Sequence, residues 1–239
     1  MNQTIGFIFD LDGTLINSTN IGKIIEKKVS EKFNIEMNEK IQSEIDSLIY
    51  ELIQGENHKK LGTKIMNEIF KKLGLNLFQR VRALMLASRI FKQEIAKIKL
   101  YEGVEELFEF FDENSFPYSI ATTSSRKEVN DRLLKFPRFY EKFENKIITR
   151  NDVKNLKPNP ESIKKASQIM NVPLARCVMV GDMHTDIIMG NSVGSVTIGV
   201  LTGIFTKEAF QKLNPDFIFT SVAEIPKNLD KIIEKLNHK

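Results

Sequence analysis

The amino-acid sequence predicts an α/β fold built on a parallel sheet, with an all-helical domain inserted after the first strand. Two observations support this prediction. In the second half of the chain, short apolar runs alternate with helical patterns, which is typical of parallel strands joined by crossover helices. Between residues 18 and 98, apolar residues recur at helical spacing, and the first proline of the chain is Pro117. No proline therefore interrupts this block of helices.

The first strand is predicted at residues 5–9, where the unbroken apolar sequence IGFIF is typical of a strand buried on both faces. Five further strands are expected in the second half of the chain, at residues 118–122, 146–149, 177–181, 196–200 and 216–220. Because 5–9 has the same character as these later runs, we expect all six strands to form one sheet. The predicted domains are a core formed by residues 1–17 and 99–239 and a helical domain at 18–98.

The composition indicates a soluble globular protein. The residues are 41% hydrophobic and 28% charged, and no apolar stretch approaches the roughly 20 residues that a membrane-spanning helix needs. The first residues lack the basic segment of a signal peptide, and the apolar run after them is too short. We therefore expect a cytoplasmic protein with no membrane partner. The single cysteine, Cys177, lies in an apolar strand, where we expect it to pack as a small hydrophobic residue.

The net charge of +4 is unevenly distributed. Residues 18–98 contain 15 Lys and Arg against 10 Asp and Glu, whereas the rest of the chain contains 20 against 21. Such an excess is compatible with solvated helix faces and with attraction of an anionic substrate, and both interpretations stay open. The sequence has no cluster of arginines interleaved with aromatic residues, so we expect no nucleic-acid partner.

Two aspartates follow the first predicted strand. Because strand side chains alternate, Asp10 and Asp12 can project toward the same side and place two carboxylates near one point. Two like charges this close repel each other unless a cation or a proton lies between them. Gly13 provides the backbone freedom for a tight turn directly after the pair. This strand end therefore predicts a cation site.

A second acidic loop follows the strand predicted at 177–181. Asp182 and Asp186 are four residues apart, a spacing that places both on one face of a starting helix. Open α/β sheets bind ligands at the carboxyl ends of their strands, so the two acidic loops can converge. Carboxylates suit Mg²⁺, which prefers oxygen ligands. We expect His184, in the same loop, to face solvent.

Two further stretches supply groups that can hold a phosphate. Thr123 and Ser124 follow the strand predicted at 118–122, in a turn where hydroxyls and the N–H groups of a helix start can bind an anion. Lys157 supplies an ammonium group on a loop, next to Pro158. Each stretch alone is compatible with an ordinary helix cap or a surface lysine. Together with the acidic loops, they predict a site with a metal, a nucleophile and counter-charges for a phosphate.

The order of these motifs resembles that of the haloacid dehalogenase-like (HAD) superfamily: D-x-D-G-T, then Thr and Ser after a strand, then Lys-Pro, then G-D-x-x-x-D. The resemblance implies a Rossmann-like three-layer α/β/α core. Because the insertion follows the first motif, it also implies a helical cap domain. Dehalogenases of the family generally lack the second aspartate, so Asp12 favours a phosphatase or a phosphomutase.

The same resemblance implies a role for each residue. Asp10 would attack phosphorus to form an aspartyl-phosphate, and Asp12 would protonate the leaving alcohol and then activate the hydrolytic water. Thr123 and Lys157 would complete the catalytic set by binding the phosphate. The expected substrate-binding residues are Gly13, Thr123, Ser124, Lys157, His58 and Lys59. The expected Mg²⁺ ligands are Asp10, the main-chain carbonyl of Asp12, Asp182 and Asp186.

Three alternatives stay open. A β-phosphoglucomutase-like enzyme would share this site, but such mutases carry a histidine at the position of Gly22, which favours a phosphatase. A phospho-receiver signalling domain uses the same set of residues on an α/β fold, although receivers lack a helical insertion of this size. A catalytically inactive binding module is disfavoured because both Asp10 and Asp12 are present.

The sequence leaves the substrate unnamed. We expect a small phosphorylated metabolite of the phosphoglycolate or sugar phosphate type, handled by a monomer or a homodimer. The stretch QGENHKKLG at 54–62 interrupts the helical pattern and carries His58, Lys59 and Lys60. It is the candidate cap loop that faces the site, and a solvated turn between helices is the alternative.

Overall fold

A computed structural model of the chain describes residues 4–54, 61–203 and 205–239. The chain forms two compact units, one from Met1–Thr19 with Ile98–Lys239 and the other from Asn20–Lys97. We call the first the core unit and the second the helical unit. The predicted functional division into a catalytic domain and a cap stays a prediction.

The core unit contains a six-stranded sheet in which all five strand pairs are parallel. The strands are β1 (Gly6–Phe9), β2 (Tyr118–Ala121), β3 (Ile147–Ile148), β4 (Cys177–Gly181), β5 (Val196–Val200) and β6 (Phe217–Phe219). Their spatial order is β3-β2-β1-β4-β5-β6. Each predicted strand is therefore confirmed, and β1 lies in the middle with β2 and β4 on either side.

Helices and short 3₁₀ turns connect the strands of the core unit. The α-helices are α5 (Val104–Glu113), α6 (Arg126–Leu133), α7 (Pro137–Glu141), α8 (Glu161–Met170), α9 (His184–Ser192), α10 (Lys207–Gln211) and α11 (Leu229–Asn237). The 3₁₀ turns are Arg150–Asp152, Leu174–Arg176, Val222–Glu224 and Pro226–Asn228. This arrangement confirms the Rossmann-like α/β fold.

The alternation of side chains along β1 explains why helices cover both faces of the sheet. The ring of Phe7 lies 4.5 Å from that of Phe111, and the ring of Phe9 lies 5.2 Å from that of Phe108, both on α5. Ile8, between them, is buried in a separate cluster that includes residues of α8 and α9. Because both faces of β1 are buried, its sequence is apolar throughout.

Cys177 packs as predicted. The residue is fully buried at the start of β4, within the cluster around Ile8. Burial raises the pKa of its thiol to about 12, so the thiol stays protonated and unreactive at neutral pH.

The helical unit consists of the four helices α1 (Asn20–Phe33), α2 (Glu39–Gln54), α3 (Leu61–Lys72) and α4 (Leu77–Ile95). Helix α1 packs on α4, and α3 packs on both α2 and α4. The apolar stripe of α1 is buried at Ile21, Ile25 and Val29, spaced one turn apart. Asn76 begins α4 with a reciprocal capping box to Gln79. The apolar spacing between residues 18 and 98 predicted helices, and the four described helices lie within that range; the domain bounds 18–98 stay a prediction. No helix of the described residues is long and apolar enough to cross a membrane.

Candidate active site

The turn after β1 places Asp10 at the centre of the sheet edge. The Asp10 N–H donates to the Val180 carbonyl at 2.9 Å, which continues the pairing of β1 with β4. Gly13 then adopts a φ of +82°, and its N–H donates to the Ile16 carbonyl at 3.0 Å. A Cβ atom on Gly13 would lie 2.3 Å from Asp182 Oδ2. Glycine is therefore required both for the left-handed backbone and for the close approach of a carboxylate.

Three buried carboxylates converge beside this turn. Asp10, Asp182 and Asp186 each offer an oxygen, and these oxygens lie within 4.8 Å of one another. Asp182 follows β4, the neighbour of β1, and Asp186 lies in the first turn of α9. The predicted convergence of the two acidic loops therefore holds, and it follows from the adjacency of β1 and β4 in a parallel sheet.

Lys157 neutralises part of this negative charge. Its Nζ donates to Asp10 Oδ1 and to Asp186 Oδ1, each at 2.6 Å. The side chain of Lys157 is only 3% exposed, so an ordinary surface lysine is excluded. Lys157 lies in the loop between the 3₁₀ turn Arg150–Asp152 and α8, and its two short bonds place it against the carboxylates. Charge-assisted bonds of this length are among the stronger hydrogen bonds in proteins.

Burial dominates the electrostatics of the cluster. It raises the pKa of Asp10 to about 7, an effect that Lys157 opposes and that Asp186 reinforces. Burial, together with the charges of Asp10 and Asp186, raises the pKa of Asp182 well above its usual value. Burial alone would lower the pKa of Lys157, but Asp10 and Asp186 hold it above its usual range. Three carboxylates against one ammonium leave a site that favours a further positive charge.

The donor set fits Mg²⁺. All three side chains offer oxygen atoms, with no thiolate or imidazole among them, and Mg²⁺ is commonly held by one or two carboxylates together with substrate phosphate oxygens. Two of the carboxylates already have other partners. The second carboxylate oxygen of Asp186 accepts the Met183 N–H at 3.2 Å, and Asp182 Oδ1 accepts the Thr14 hydroxyl at 3.2 Å. The identity of the metal stays a proposal.

We expect Mg²⁺ to stabilise the protein more strongly at pH 8 than at pH 6. The folded-state pKa of Asp10, about 7, lies above the ordinary value of 3.8, so between these pH values the folded protein holds a proton that the unfolded chain has lost. Without metal, the contribution of Asp10 to stability therefore decreases as the pH rises toward and through 7. Bound Mg²⁺ requires the ionised carboxylates and reverses this loss. At about 100 times Kd, the ion should add about 2.7 kcal/mol, or about 5 to 10 °C in Tm.

Thermal unfolding with Mg²⁺ and with excess chelator, at both pH values, tests this expectation. Asp182→Asn should remove more of the Mg²⁺ shift than Asp186→Asn, because Asp186 is also bonded to Lys157 and to the Met183 N–H. An equal Mg²⁺ shift at the two pH values, or in wild type and Asp182→Asn, would show that the cluster does not hold the ion.

Asp12 is held by three side chains at the edge of the cluster. Its Oδ1 accepts the Ser18 hydroxyl at 2.7 Å, and its Oδ2 accepts the Ser124 hydroxyl at 2.8 Å. Arg132 Nη1 lies 3.0 Å from the same Oδ2. The side chain of Asp12 is 29% exposed, so it lies nearer to solvent than the three clustered aspartates.

The turn after β2 contributes one of its two predicted hydroxyls to this arrangement. Ser124 bonds to Asp12, whereas Thr123 is exposed at the carboxyl end of the strand. Thr122, the preceding residue, is buried and accepts the Ser124 N–H at 3.1 Å. The phosphate-binding roles of Thr123 and Ser124 stay predictions.

His184 does not face solvent, contrary to the sequence-based expectation. It is 5% exposed, and its ring stacks on that of Phe205 with 5.3 Å between centroids. Burial lowers the pKa of its imidazole, which favours the neutral ring. The expectation was wrong because position in a polar loop does not reveal that Phe205, from a later loop, covers the helix start.

Four contributors to the site were not predicted from the sequence, namely Thr14, Ser18, Arg132 and Gly203. Arg132 belongs to no sequence motif, and a single arginine in a helix is ordinarily exposed, so nothing in the sequence indicated that this one is buried. Gly203 follows β5, and a Cβ atom there would lie 1.8 Å from Asp182 Oδ2. A glycine shortly after a strand of a parallel sheet was the one signal for a close approach. The residues His58, Lys59 and Lys60 lie outside the described part of the chain, and their roles stay predictions.

The central strand of the sheet thus ends in a buried aspartate cluster with a lysine bonded to its first member, the arrangement that the resemblance to HAD-like proteins implied. The family model described as haloacid dehalogenase-like hydrolase matches residues 7–200, so this chain belongs to the HAD-like hydrolase family. The predicted enzyme class, a phosphatase-type hydrolase, is confirmed.

Named relatives show how far the similarity extends. The pyrophosphatase PpaX of Anoxybacillus flavithermus is 28% identical over 222 residues, covering 91% of this chain and 93% of that protein. A predicted phosphoglycolate phosphatase from Haemophilus somnus 129pt has a TM-score of 0.73 at 20% identity, covering 96% of this chain and 99% of that chain. The β-phosphoglucomutase of Clostridium difficile has a TM-score of 0.66 at 22% identity, covering 99% of this chain and 98% of that chain. The fold is thus common to hydrolases and mutases and does not distinguish them.

Proposed function

We propose that this protein is a Mg²⁺-dependent phosphatase that hydrolyses a small phosphorylated metabolite through an aspartyl-phosphate on Asp10. The observation that carries the proposal is the environment of Asp10. Its carboxylate lies at the carboxyl end of the central strand, bonded to Lys157 and within reach of Asp182 and Asp186. Asp12 stands two residues further on, as the partner acid and base that such a reaction needs.

In the first step, Asp10 attacks the phosphorus of the substrate and the bond to the leaving oxygen breaks. Asp12 donates its proton to that oxygen, so the alcohol leaves neutral. Lys157 bonds to Asp10 Oδ1, which orients the carboxylate and offsets the negative charge of the incoming phosphate. A bound Mg²⁺ would neutralise phosphate oxygens in this cluster.

In the second step, water attacks the phosphorus of the aspartyl-phosphate. Asp12, now ionised, accepts a proton from that water. The bond between phosphorus and Asp10 breaks, which releases inorganic phosphate and restores the Asp10 carboxylate. The proton that Asp12 takes up here replaces the one that it gave away in the first step, so each turnover leaves the enzyme unchanged.

Two substrate classes have support. Sugar phosphates and phosphoglycolate agree with the predicted phosphatase, and the basic excess of residues 18–98 would attract such anions. Inorganic pyrophosphate is the second candidate, because the relative from Anoxybacillus flavithermus is named a pyrophosphatase. We propose hydrolysis and not mutase chemistry, since Gly22 of α1 offers no proton-transfer group.

The deciding experiment measures phosphate release from phosphoglycolate, sugar phosphates, nucleotides and pyrophosphate, beside an assay for interconversion of β-glucose 1-phosphate and glucose 6-phosphate. We expect phosphate release that requires Mg²⁺ and stops in excess chelator. Interconversion faster than phosphate release would show that the protein is a mutase and not a phosphatase. Full turnover in excess chelator would contradict the metal requirement.

The remaining assignments are also proposals. We propose a cytoplasmic enzyme, either a monomer or a homodimer, with no membrane or nucleic-acid partner. The support is compositional, because the chain has a balanced content of hydrophobic and charged residues and no nucleic-acid motif.

A further inference from the structure

Arg132 is a buried arginine whose presence the reaction described above does not explain. It lies on α6, is 7% exposed, and has its guanidinium turned toward the loop after β2 and the turn after β1. Nη1 lies 3.0 Å from Asp12 Oδ2 and donates to Ser124 Oγ at 2.7 Å. Ser124 Oγ in turn donates to Asp12 Oδ2. One guanidinium therefore contacts the carboxylate both directly and through a hydroxyl.

The backbone position of Arg132 is fixed by helix α6. Helix α6 begins with a capping box in which Ser125 and Glu128 bond reciprocally. Glu128 also accepts Arg150 at 3.1 Å, and the positive charge of Arg132 is one of the causes that lower the pKa of Glu128. Arg132 lies one turn after Glu128 on this capped helix, so both residues are on the same helix face.

The contacts to Asp12 use both of its oxygens. Ser18 occupies Oδ1, and Arg132 with Ser124 occupies Oδ2. Because the side chain of an aspartate rotates about two bonds, donors at both oxygens define one orientation of the carboxylate. Ser18 and Ser124 are neutral donors, so Arg132 supplies the only ion pair among these three contacts.

We infer that Arg132 is a positioning residue for Asp12, which holds the carboxylate in the orientation that accepts a proton from the hydrolytic water. This inference rests on the proposed function. In the hydrolytic step, the water oxygen bonds to phosphorus, its proton goes to Asp12, and the bond between phosphorus and Asp10 breaks. A carboxylate that rotates freely is misplaced for this transfer, and a misplacement of about 1 Å can cost about 100-fold in rate.

The inference makes a prediction that is specific to one step. With p-nitrophenyl phosphate the leaving group needs no proton, so formation of the aspartyl-phosphate does not depend on Asp12. Hydrolysis of the intermediate still does. Arg132→Met should therefore lower kcat by about 10- to 100-fold and make phosphorylated enzyme accumulate during turnover. Arg132→Lys, which keeps the charge but loses the fork of donors, should fall between Arg132→Met and wild type.

The experiment combines steady-state kinetics on p-nitrophenyl phosphate with intact-protein mass spectrometry of samples quenched during turnover. Arg138→Met is the matched control, because Arg138 is exposed on α7 and should leave both kcat and the phosphorylated fraction at wild-type values. Asp12→Asn serves as the positive control for trapped intermediate. Circular dichroism and Tm establish that each variant is folded, and Arg132→Lys decides the matter if Arg132→Met does not fold.

Failure of this inference is distinguishable from failure of the proposed function. If wild type turns over the substrate and Asp12→Asn accumulates phosphorylated enzyme, the proposed function stands. A folded Arg132 variant that then shows the same phosphorylated fraction as wild type would overturn the positioning role, whatever its kcat. If neither wild type nor Asp12→Asn ever carries a phosphoryl group on Asp10, the proposed mechanism itself is wrong.

Discussion

Asp10→Asn should lower turnover of p-nitrophenyl phosphate by about 10⁴-fold or more while leaving the protein folded. The amide lacks the negative oxygen that attacks phosphorus, and no other described carboxylate stands both first after β1 and bonded to Lys157. The fold should tolerate the change because Asp10 belongs to a crowded cluster in which burial raises its pKa to about 7. A neutral side chain there reduces the repulsion on Asp182 and Asp186.

The measurement is phosphate release at saturating substrate, together with Tm in excess chelator at pH 8. We expect Tm to be equal to or above that of wild type, so lost turnover cannot be ascribed to unfolding. Asp131→Asn is the control for the same chemical change, since the side chain of Asp131 is 52% exposed and pairs with Lys127, outside the aspartate cluster. Turnover above a few per cent of wild type would remove Asp10 from the role of nucleophile.

Asp12→Asn is the partner variant, and its expected phenotype differs in kind. The nucleophile remains, so an activated substrate can still phosphorylate Asp10, whereas the water is no longer deprotonated. Phosphorylated enzyme should then be found by mass spectrometry. Its absence, with Asp10 intact and the protein folded, would argue against a covalent intermediate.

Lys157→Met should destabilise the protein by about 3 to 5 kcal/mol at pH 8 without metal. The ammonium bonds to Asp10 and to Asp186, each at 2.6 Å, in a site where the lysine side chain is 3% exposed. Methionine has a similar shape but no charge, so Asp10, Asp182 and Asp186 would lie together without a buried counter-charge. Turnover should be lost as well, because the phosphate would meet this uncompensated negative charge.

The pH dependence of this loss separates electrostatics from packing. Burial raises the pKa of Asp10 to about 7 and the pKa of Asp182 well above its usual value. A lower pH therefore reduces the repulsion in the cluster, and the difference in unfolding free energy between wild type and Lys157→Met should be smaller at pH 5.5 than at pH 8. Mg²⁺ should recover part of the loss at pH 8. The control is Lys154→Met, an exposed lysine of the same loop, which should change the stability by less than about 0.5 kcal/mol.

A loss of stability that is the same at both pH values would attribute the role of Lys157 to packing alone. The double variant Lys157→Met with Asp186→Asn tests whether repulsion among the carboxylates causes the loss of stability. Removing one carboxylate should return part of the lost stability if repulsion is the cause. A further decrease in Tm in the double variant would contradict this account.

Local patterns were sufficient for the elements of the core unit. Continuous apolar runs such as 177–181 can only be stable when both faces of a strand are covered, so their sequences predicted a buried parallel sheet. The six strands are present, and their ends carry the predicted aspartates. Parallel strands all end on one edge of the sheet, which is why residues as far apart in sequence as Asp10 and Asp182 could be expected to meet.

The helical unit illustrates a limit of the same approach. Apolar spacing predicted its helices, and Ile21, Ile25 and Val29 are buried as the period requires. Charge counting showed a basic excess in this segment, yet composition alone does not tell which lysine would meet a substrate. The candidate residues His58 and Lys59 lie outside the described part of the chain and stay predictions.

The sequence by itself determined the strand-helix alternation, the acidic strand ends and the preference for a cation, because each depends on side-chain period or on the repulsion of neighbouring carboxylates. Only the tertiary structure decided the partners of Asp12. Ser124 lies 112 residues away and Arg132 reaches the same oxygen from α6. It also decided the burial of His184 under Phe205. Such contacts depend on the directions in which helices and loops leave the sheet, and those directions are set by packing over the whole core.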